Sequence, residues 1–482
     1  MPAQNTSTPP RELTVEELRA RLDGHGQAHV LAYWDDLDGS GRDRLMSQLA
    51  RLEPQLASLA NAYRAALDSG AAVDPRIEPA VAIALPEHGG DADRALEARK
   101  IGEKVLEDGR VGVFLVAGGQ GTRLGFPHPK GCFPIGPVSE RSLFEVQAQK
   151  IRRLARRTGC AVPWYILTSD ATDAETREAF ASHDWFGLPR EDVHIFQQDM
   201  VPAFDLEGRL ILETPDRVFE NPNGHGGALT ALESSGALDD MDRRGIDTIF
   251  YYQVDNPLVQ IVDPAYVGFH IQSGAEMSCK VVRKIDPMEK VGVVAQIDGR
   301  VGIVEYTELR DEERYARDDD GQLLFWTGSI AIHLLSTDFV RRVASDAYRL
   351  LPFHLSAKQI PTVDAAGVSR KPAEPNGYKL ERFVFDALAE ARDVCVVETT
   401  ARDEFAAVKN AEGSESAGTC RAALDAQYRR WLAEAGVALP DEGVAVEINH
   451  AFIDGPEDVR AAGFQTLADA GEAVRIAGGR DQ

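Results

Sequence analysis

The chain has 482 residues, 44% hydrophobic and 27% charged, with a formal net charge of −25 at pH 7. That length is too great for one simple core, and the composition is globular with no low-complexity tract. The acidic balance speaks against a polynucleotide ligand, so an anionic partner has to be a small molecule met where Lys and Arg concentrate locally.

No apolar run approaches the roughly 18 residues needed to span a bilayer, which argues against a membrane partner. The opening segment MPAQNTSTPPREL lacks the charged-then-apolar pattern of a signal peptide and reads as a short flexible tail. Cys132, Cys160, Cys279, Cys395 and Cys420 are scattered and never form CxxC. They read as buried thiols in a reducing, cytoplasmic protein rather than as disulfides or a zinc site.

The first hundred residues read as helical. Thr14 and Glu17 form a capping-box pair ahead of Val15, Leu18 and Leu22. Leu45, Leu49, Leu52, Leu56, Leu59 and Tyr63 then recur at three- and four-residue spacings, with Pro54 placed to break or kink that face. From Val111 the texture changes to short apolar strands alternating with helices. VGVFLV is a buried strand running into a glycine loop, and Ser142 with Glu145 opens a helix through Leu154. PWYILTS (163–169) is a strand, Ala174–Ser182 a helix, Val193–Phe196 a strand, and IDTIFYYQVDN (246–256) an apolar run ending in an acidic residue.

Such alternation predicts an α/β fold around a mainly parallel sheet, with ligands beyond the carboxyl ends of the strands. Both the glycine loop and Asp255 follow strands directly, so both belong on that rim. Residues 276–335 read as hairpins, with a turn at Asp298–Gly299, extending the sheet. A helix at Glu381–Ala391, the strand DVCVVE and an amphipathic helix near Arg421–Ala435 complete the pattern. The domains predicted are a helical 1–100, a catalytic 101–400 and a small C-terminal 401–482.

The loop FLVAGGQGTRLGFPHPKG (114–131) carries the chemistry. A Walker A loop requires Ser or Thr after GK and fails, because Gly125 is followed by Phe126. A dinucleotide GxGxxG requires glycine where Leu124 stands, and Pro127 and Pro129 keep a helix from starting at once. What remains is a strand followed by glycines whose freed N–H groups can line an anion site, with Arg123 and Lys130 as cations at its mouth.

VAGGQGTRLGFPHPKG resembles the LxxGGxGTRLGxxxPK signature of the eukaryotic-type UDP-sugar pyrophosphorylases, and within them the N-acetylglucosamine branch most. Similar segments recur in order: PRIEPA, IFQQDMVPAFDLEGRLIL, NPNGHGGALTAL, YYQVDNPLVQIVDP, KVGVVAQIDGRVGIVEYTEL, PNGYKLERFVFDAL and RDEFAAVKNAEG, across about residues 75 to 450. The resemblance implies a Rossmann-like, GT-A-like nucleotidyltransferase fold and the reaction of UTP with a sugar 1-phosphate to give UDP-sugar and pyrophosphate. The attacking phosphate oxygen is already ionised, so alignment and charge neutralisation suffice and no Ser, Cys or His base is required.

By the same resemblance, Val116, Ala117, Gly118, Gly119, Gly121, Thr122, Arg123 and Lys130 contact UTP, with Arg123 and Lys130 on the leaving pyrophosphate. Gln198 and Gly224 read uracil, Lys379 contacts the nucleotide, and Asp255 binds nucleotide and Mg²⁺. His225, Gly292, Glu305, Ser329 and Lys409 belong to the sugar phosphate, Lys409 orienting its phosphate. A hard carboxylate suits Mg²⁺ that keeps waters and substrate phosphates as its other ligands.

Two departures fall where the sugar is read. This chain has His225–Gly226–Gly227 where the acetylglucosamine enzymes read NGG, and Ser329 where the family commonly has asparagine. N-acetylglucosamine 1-phosphate is therefore the first acceptor, with glucose 1-phosphate or broad sugar specificity as the alternative. A silent UDP-sugar-binding protein would have lost Arg123, Lys130, Asp255 or Lys409, and all four are present. An oxidoreductase is weakened by the failed GxGxxG spacing. Oligomeric state is not legible.

Overall fold

The computed structural model describes residues 13–69, 75–441, 443–463, 466–467, 470–471 and 474–476. Residues 1–12 of the expected tail lie outside the described residues. Contacts divide the chain into two compact units: Met1–Val73 with Asp199–Gly227 and Ala347–Phe383, and Asp74–Gln198 with Ala228–Asp346 and Val384–Gln482. The grouping differs from 1–100, 101–400 and 401–482, because the leading helices pack with two later insertions and the last segment joins the larger unit.

In the smaller unit, α1 (Val15–Gly24) starts at Thr14, whose hydroxyl accepts from Glu17 N while Glu17 reaches back to the Thr14 N–H. Asp38 caps α2 (Gly39–Leu52), and Pro54 sits in a 3₁₀ turn separating it from α3 (Leu56–Ser69). The break falls where the missing proline N–H predicts it. Leu45, Leu49, Leu52, Leu56 and Leu59 are each at most 2% exposed, a core worth roughly 1.5–3 kcal/mol per side chain. They pack with Phe204, Leu380 and Phe353 from the insertions. His354–Lys358, Gly377–Glu381 and Phe204–Asp205 form an antiparallel three-stranded sheet there. The helix expected over Glu381–Ala391 is instead the end of that strand followed by a 3₁₀ helix, Val384–Glu390.

The larger unit is built on β1 (Ile77–Pro79), α4 (Ala92–Glu107), β2 (Val111–Val116), α5 (Leu143–Thr158), β3 (Trp164–Thr168), α6 (Asp173–Ser182) and β4 (Val193–Gln197). It continues with β5 (Thr248–Gln253), α7 (Pro264–Ser273), β6 (Met277–Arg283), β7 (Val293–Ile297), β8 (Arg300–Val304), β9 (Thr327–Ser336), β10 (Val394–Thr399) and α8 (Ala417–Glu434). The sheet runs β1–β7–β9–β5–β2–β3–β4, with β8 on β7 and β6 between β9 and β10.

Strands β5, β2, β3 and β4 are mutually parallel. Helices cover their faces, so β2 and β3 are apolar along nearly their whole length, as parallel strands must be. Antiparallel β7 and β8 turn at Asp298 and Gly299, both with positive φ, as a tight hairpin demands. Ser142 caps α5 through Glu145 N. Cys279, Cys395 and Cys420 are buried, while Cys132 and Cys160 are only partly so and depart from the expectation.

Candidate functional site

The four parallel strands end level. Gln253 pairs with Val116, Val116 with Leu167, and Leu167 with Phe196. Ligand sites in such sheets lie beyond this carboxyl edge. One step past it stand Ala117, whose N–H donates to Leu167 O at 2.8 Å, and Val254, whose N–H donates to Val116 O at 3.1 Å. Gln198 N donates to Thr168 O at 2.9 Å. Gly118, Ser169, Gln198 and Asp255 thereby share one rim.

The glycine loop leaves β2 and folds back on itself. Gly121 N donates to His128 O at 2.9 Å, and Lys130 N donates to Gly119 O at 3.0 Å. A Cβ on Gly121 would stand 2.7 Å from Phe126 O, so this return requires glycine. Gly118 O accepts from the Ser169 hydroxyl at 2.8 Å, and a Cβ on Gly118 would meet Gln198 Nε2 at 3.1 Å. The Gln198 amide lies directly against the loop. Thr122 and Arg123 sit in the 3₁₀ turn Thr122–Leu124, and both are exposed. Lys130 comes back to the strand ends, where its Nζ lies 3.5 Å from Asp255 Oδ2. A cation and a strand-end carboxylate thus meet on the rim.

Asp255 belongs to an irregular loop that side chains hold in place. From α5, Gln147 Nε2 donates to Val254 O at 3.2 Å, and Lys150 Nζ donates to Pro257 O and Val259 O, each at 2.8 Å. Burial pulls the Lys150 amine down to about 8. Val408 N donates to Asp255 O at 2.9 Å, tying in the chain that carries Lys409. Lys409 is pinned in turn by Glu415, through N–H to O at 2.7 Å and Nζ to Oε1 at 2.8 Å. Asp255, Ser329 and Lys409 line one cavity of about 70 Å³, with Tyr252 and Phe405.

The residues expected for the sugar also gather. The Val293–Val304 pair sets Gly292 across from Glu305, whose Oε1 would lie 3.4 Å from a Cβ on Gly292. Ser329 N donates to Gly292 O at 2.8 Å. Beside Ser329, β9 bulges where its pairing with β6 shifts between Lys280 and Val281, and Ala331 takes φ 56. Bulges re-aim side chains near sites, and here the consecutive residues Ser329, Ile330, Ala331 and Ile332 all line the cavity.

Gly224, His225 and Lys379 belong to the smaller unit. Asn223 O accepts from Arg382 N at 3.1 Å, and Gly226 N donates to Arg382 O at 2.8 Å. Between them Gly224 has φ +67, and a Cβ there would stand 2.4 Å from Arg382 O. His225 stacks on Phe383 with ring centroids 5.1 Å apart. Burial, with His354 adding to it, pulls the ring down to about 4, so at neutral pH it is uncharged and offers one donor and one acceptor. Lys379 Nζ lies 5.0 Å over the Phe219 ring.

Sequence reasoning missed Gln147, Lys150 and Asn256, which shape the Asp255 loop. For the first two a signal existed: both are polar on the face of α5 that carries Val146, Ile151 and Leu154 inward. Among the described residues no group of three or more His, Cys, Asp and Glu could hold a metal. Asp255 is the carboxylate that lines the cavity with Ser329 and Lys409, which fits Mg²⁺ completed by waters and substrate phosphates and not an all-protein cage.

A glycine loop with a cation beside a strand-end carboxylate on the carboxyl rim of parallel strands marks a nucleotide-handling α/β protein, in this case of nucleotidyltransferase class. A family model described as UTP–glucose-1-phosphate uridylyltransferase matches residues 84–422, and the chain belongs to that family. It is similar to the human UDP-N-acetylhexosamine pyrophosphorylase-like protein 1, 38% identical over 442 residues, covering 88% of this chain and 87% of the human one. It is 35% identical over 440 residues to UDP-N-acetylglucosamine pyrophosphorylase of Saccharomyces cerevisiae, 88% of this chain and 92% of the yeast one. The structure of the Trypanosoma brucei uridine diphosphate N-acetylglucosamine pyrophosphorylase in complex with inhibitor matches at 28% identity and TM-score 0.81. That match covers 92% of this chain and 94% of the other.

Proposed function

We propose that this chain is a uridylyltransferase that converts UTP and an N-acetylhexosamine 1-phosphate, first N-acetylglucosamine 1-phosphate, into UDP-sugar and pyrophosphate. The observation that carries the proposal is the meeting of the glycine loop, Lys130 and Asp255 on the rim of a chain of this family. A phosphate oxygen of the sugar attacks the α-phosphorus of UTP in line. The bond from that phosphorus to the α,β-bridging oxygen breaks, and pyrophosphate leaves with the electron pair.

Lys130 and Arg123 neutralise the departing pyrophosphate. The loop from Val116 to Thr122 contacts UTP: Ala117, Gly118 and Gly119 complete the uracil pocket, while Gly121, its N–H taken by His128 O, and Thr122 carry the chain past the triphosphate. The Gln198 amide, held against Gly118, reads an edge of uracil that both donates and accepts. Glu305 and Ser329 take the sugar with Gly292 between them, and Lys409 takes its phosphate. Asp255 would hold Mg²⁺, which when bound neutralises triphosphate charge. The parts given to Gly224, His225 and Lys379 rest on the resemblance alone. A cytoplasmic location rests on the scattered thiols.

The test is pyrophosphate release with UTP and Mg²⁺ across a panel of sugar 1-phosphates. N-acetylglucosamine 1-phosphate should turn over fastest. Faster glucose 1-phosphate would change the acceptor and keep the reaction, which the His225 and Ser329 departures make the specific rival. No UDP-sugar from any acceptor would end the proposal.

A further inference from the structure

The chain between Glu404 and Lys409 has no ladder to hold it, since residues 405–409 are neither helix nor strand. Its start is anchored below. The Glu404 carboxylate, 2% exposed, pairs with the buried Lys280 amine and accepts from the Thr399 hydroxyl at 3.0 Å, while Lys280 also holds Asp263 at 2.8 Å. From that anchor the chain must reach Lys409 in register with Asp255.

Two side chains hold the gap: the Cys420 thiol donates to Ala406 O at 3.1 Å, and of the two Asn256 alone ties the segment to the Asp255 loop. Asn256 is 4% exposed; its Nδ2 donates to Glu404 O at 2.7 Å, and its Oδ1 accepts from Ala406 N at 3.1 Å and Leu258 N at 3.3 Å. The carboxamide takes the place of missing backbone pairs, using a donor and an acceptor at once. No other side chain of this size offers both on one fork. With the Val408 N–Asp255 O bond, it joins residues 255–258 to 404–408, the two walls of the cavity that hold Asp255 and Lys409.

We infer that Asn256 is a positioning residue: its carboxamide ties the 404–406 end of the segment to the Asp255 loop, while Glu415 pins the other end at Lys409. The tether sets Lys409 in register with Asp255, so that the sugar phosphate is presented to the α-phosphorus. The inference rests on the parts proposed above for Asp255 and Lys409. Asn256→Asp keeps the shape but turns an oxygen toward Glu404 O, replacing attraction by repulsion.

The test is a double-mutant cycle with Lys409→Ala, measured as KM and kcat for both substrates. Lys409→Ala and Asn256→Asp should each raise KM for the sugar 1-phosphate about ten-fold and leave KM for UTP within about two-fold. In the Lys409→Ala background, Asn256→Asp should add less than about two-fold, because the residue it positions is gone. Full multiplication of the two effects overturns the inference and leaves the proposed function standing. So does a fall in kcat with both KM values unchanged, the mark of a smaller folded fraction.

A Lys409→Ala protein with normal KM removes the part given to Lys409, and the inference with it. Asn256→Ser runs in parallel, so that a variant melting more than about 8 °C early leaves the other to decide. If both melt early, amide exchange in the unmodified protein decides. Ala406 and Val408 protected as well as β5 support the tether, and loop-like exchange overturns it.

Discussion

Lys150→Met separates stability from function at the Asp255 loop. The amine is buried and donates to Pro257 O and Val259 O, each at 2.8 Å. Burial lowers it from 10.5 to about 8, a penalty of about 3 kcal/mol for the charged form at 1.36 kcal/mol per unit. Against that stand two charge-assisted hydrogen bonds of roughly 1.5–3 kcal/mol each. Methionine has a similar shape and removes both sides of the balance, so urea unfolding should shift by no more than about 2 kcal/mol.

The loop, however, loses two of its supports, and Asp255 moves with it. A displacement near 1 Å at a reacting centre costs about 10²-fold, so kcat should fall between ten- and a hundred-fold. The pH dependence has a fixed sign. The folded value near 8 lies below the unfolded 10.5, so between them the unfolded chain binds more protons. Wild-type stability relative to Lys150→Met therefore rises as pH climbs through that window. A variant with kcat within two-fold of wild type refutes the reasoning, as does a loss of more than about 4 kcal/mol.

Asp255→Ala and Lys130→Ala should each lower kcat by about 10²–10³-fold, in the range of removing one preorganised charge contact; steady-state pyrophosphate release would show it, and near-normal rates would remove those parts. Gly224→Ala should cost about 3 kcal/mol in urea unfolding, from αL strain and the two bonds to Arg382 that its Cβ displaces; a change below about 0.5 kcal/mol contradicts the geometry. His270, 3% exposed and brought by burial to about 4, is neutral when folded. The unfolded chain takes its proton near 6.5, so stability falls as pH drops from 6.5 toward 4, and His270→Gln should flatten that limb by up to about 3 kcal/mol.

Much of this was legible because the signals are local. The burial of VGVFLV on both faces, the capping residues and Asp298–Gly299 each act within a few residues, and strands, helix starts and the hairpin fall where they point. The rim followed too, since a loop directly after a parallel strand has only one place to be. The 381–391 segment misled because its apolar spacing suits a helix, while pairing of Gly377–Glu381 with His354–Lys358 claims its start for a strand. The grouping of α1–α3 with residues 199–227 and 347–383 depends on contacts hundreds of residues apart, invisible to a windowed reading. Asn256 escaped for the same reason: its partners at 404 and 406 are distant in sequence, and alone it reads as a turn residue.

The most direct measurement follows the phosphorus atoms of UTP. With N-acetylglucosamine 1-phosphate and Mg²⁺, label in the α-phosphate should appear in UDP-sugar and label in the γ-phosphate in pyrophosphate, with both fluxes equal and both lost in Asp255→Ala. Label from the γ-phosphate in inorganic phosphate or in a sugar bisphosphate, with none from the α-phosphate in UDP-sugar, would contradict uridylyl transfer at this rim.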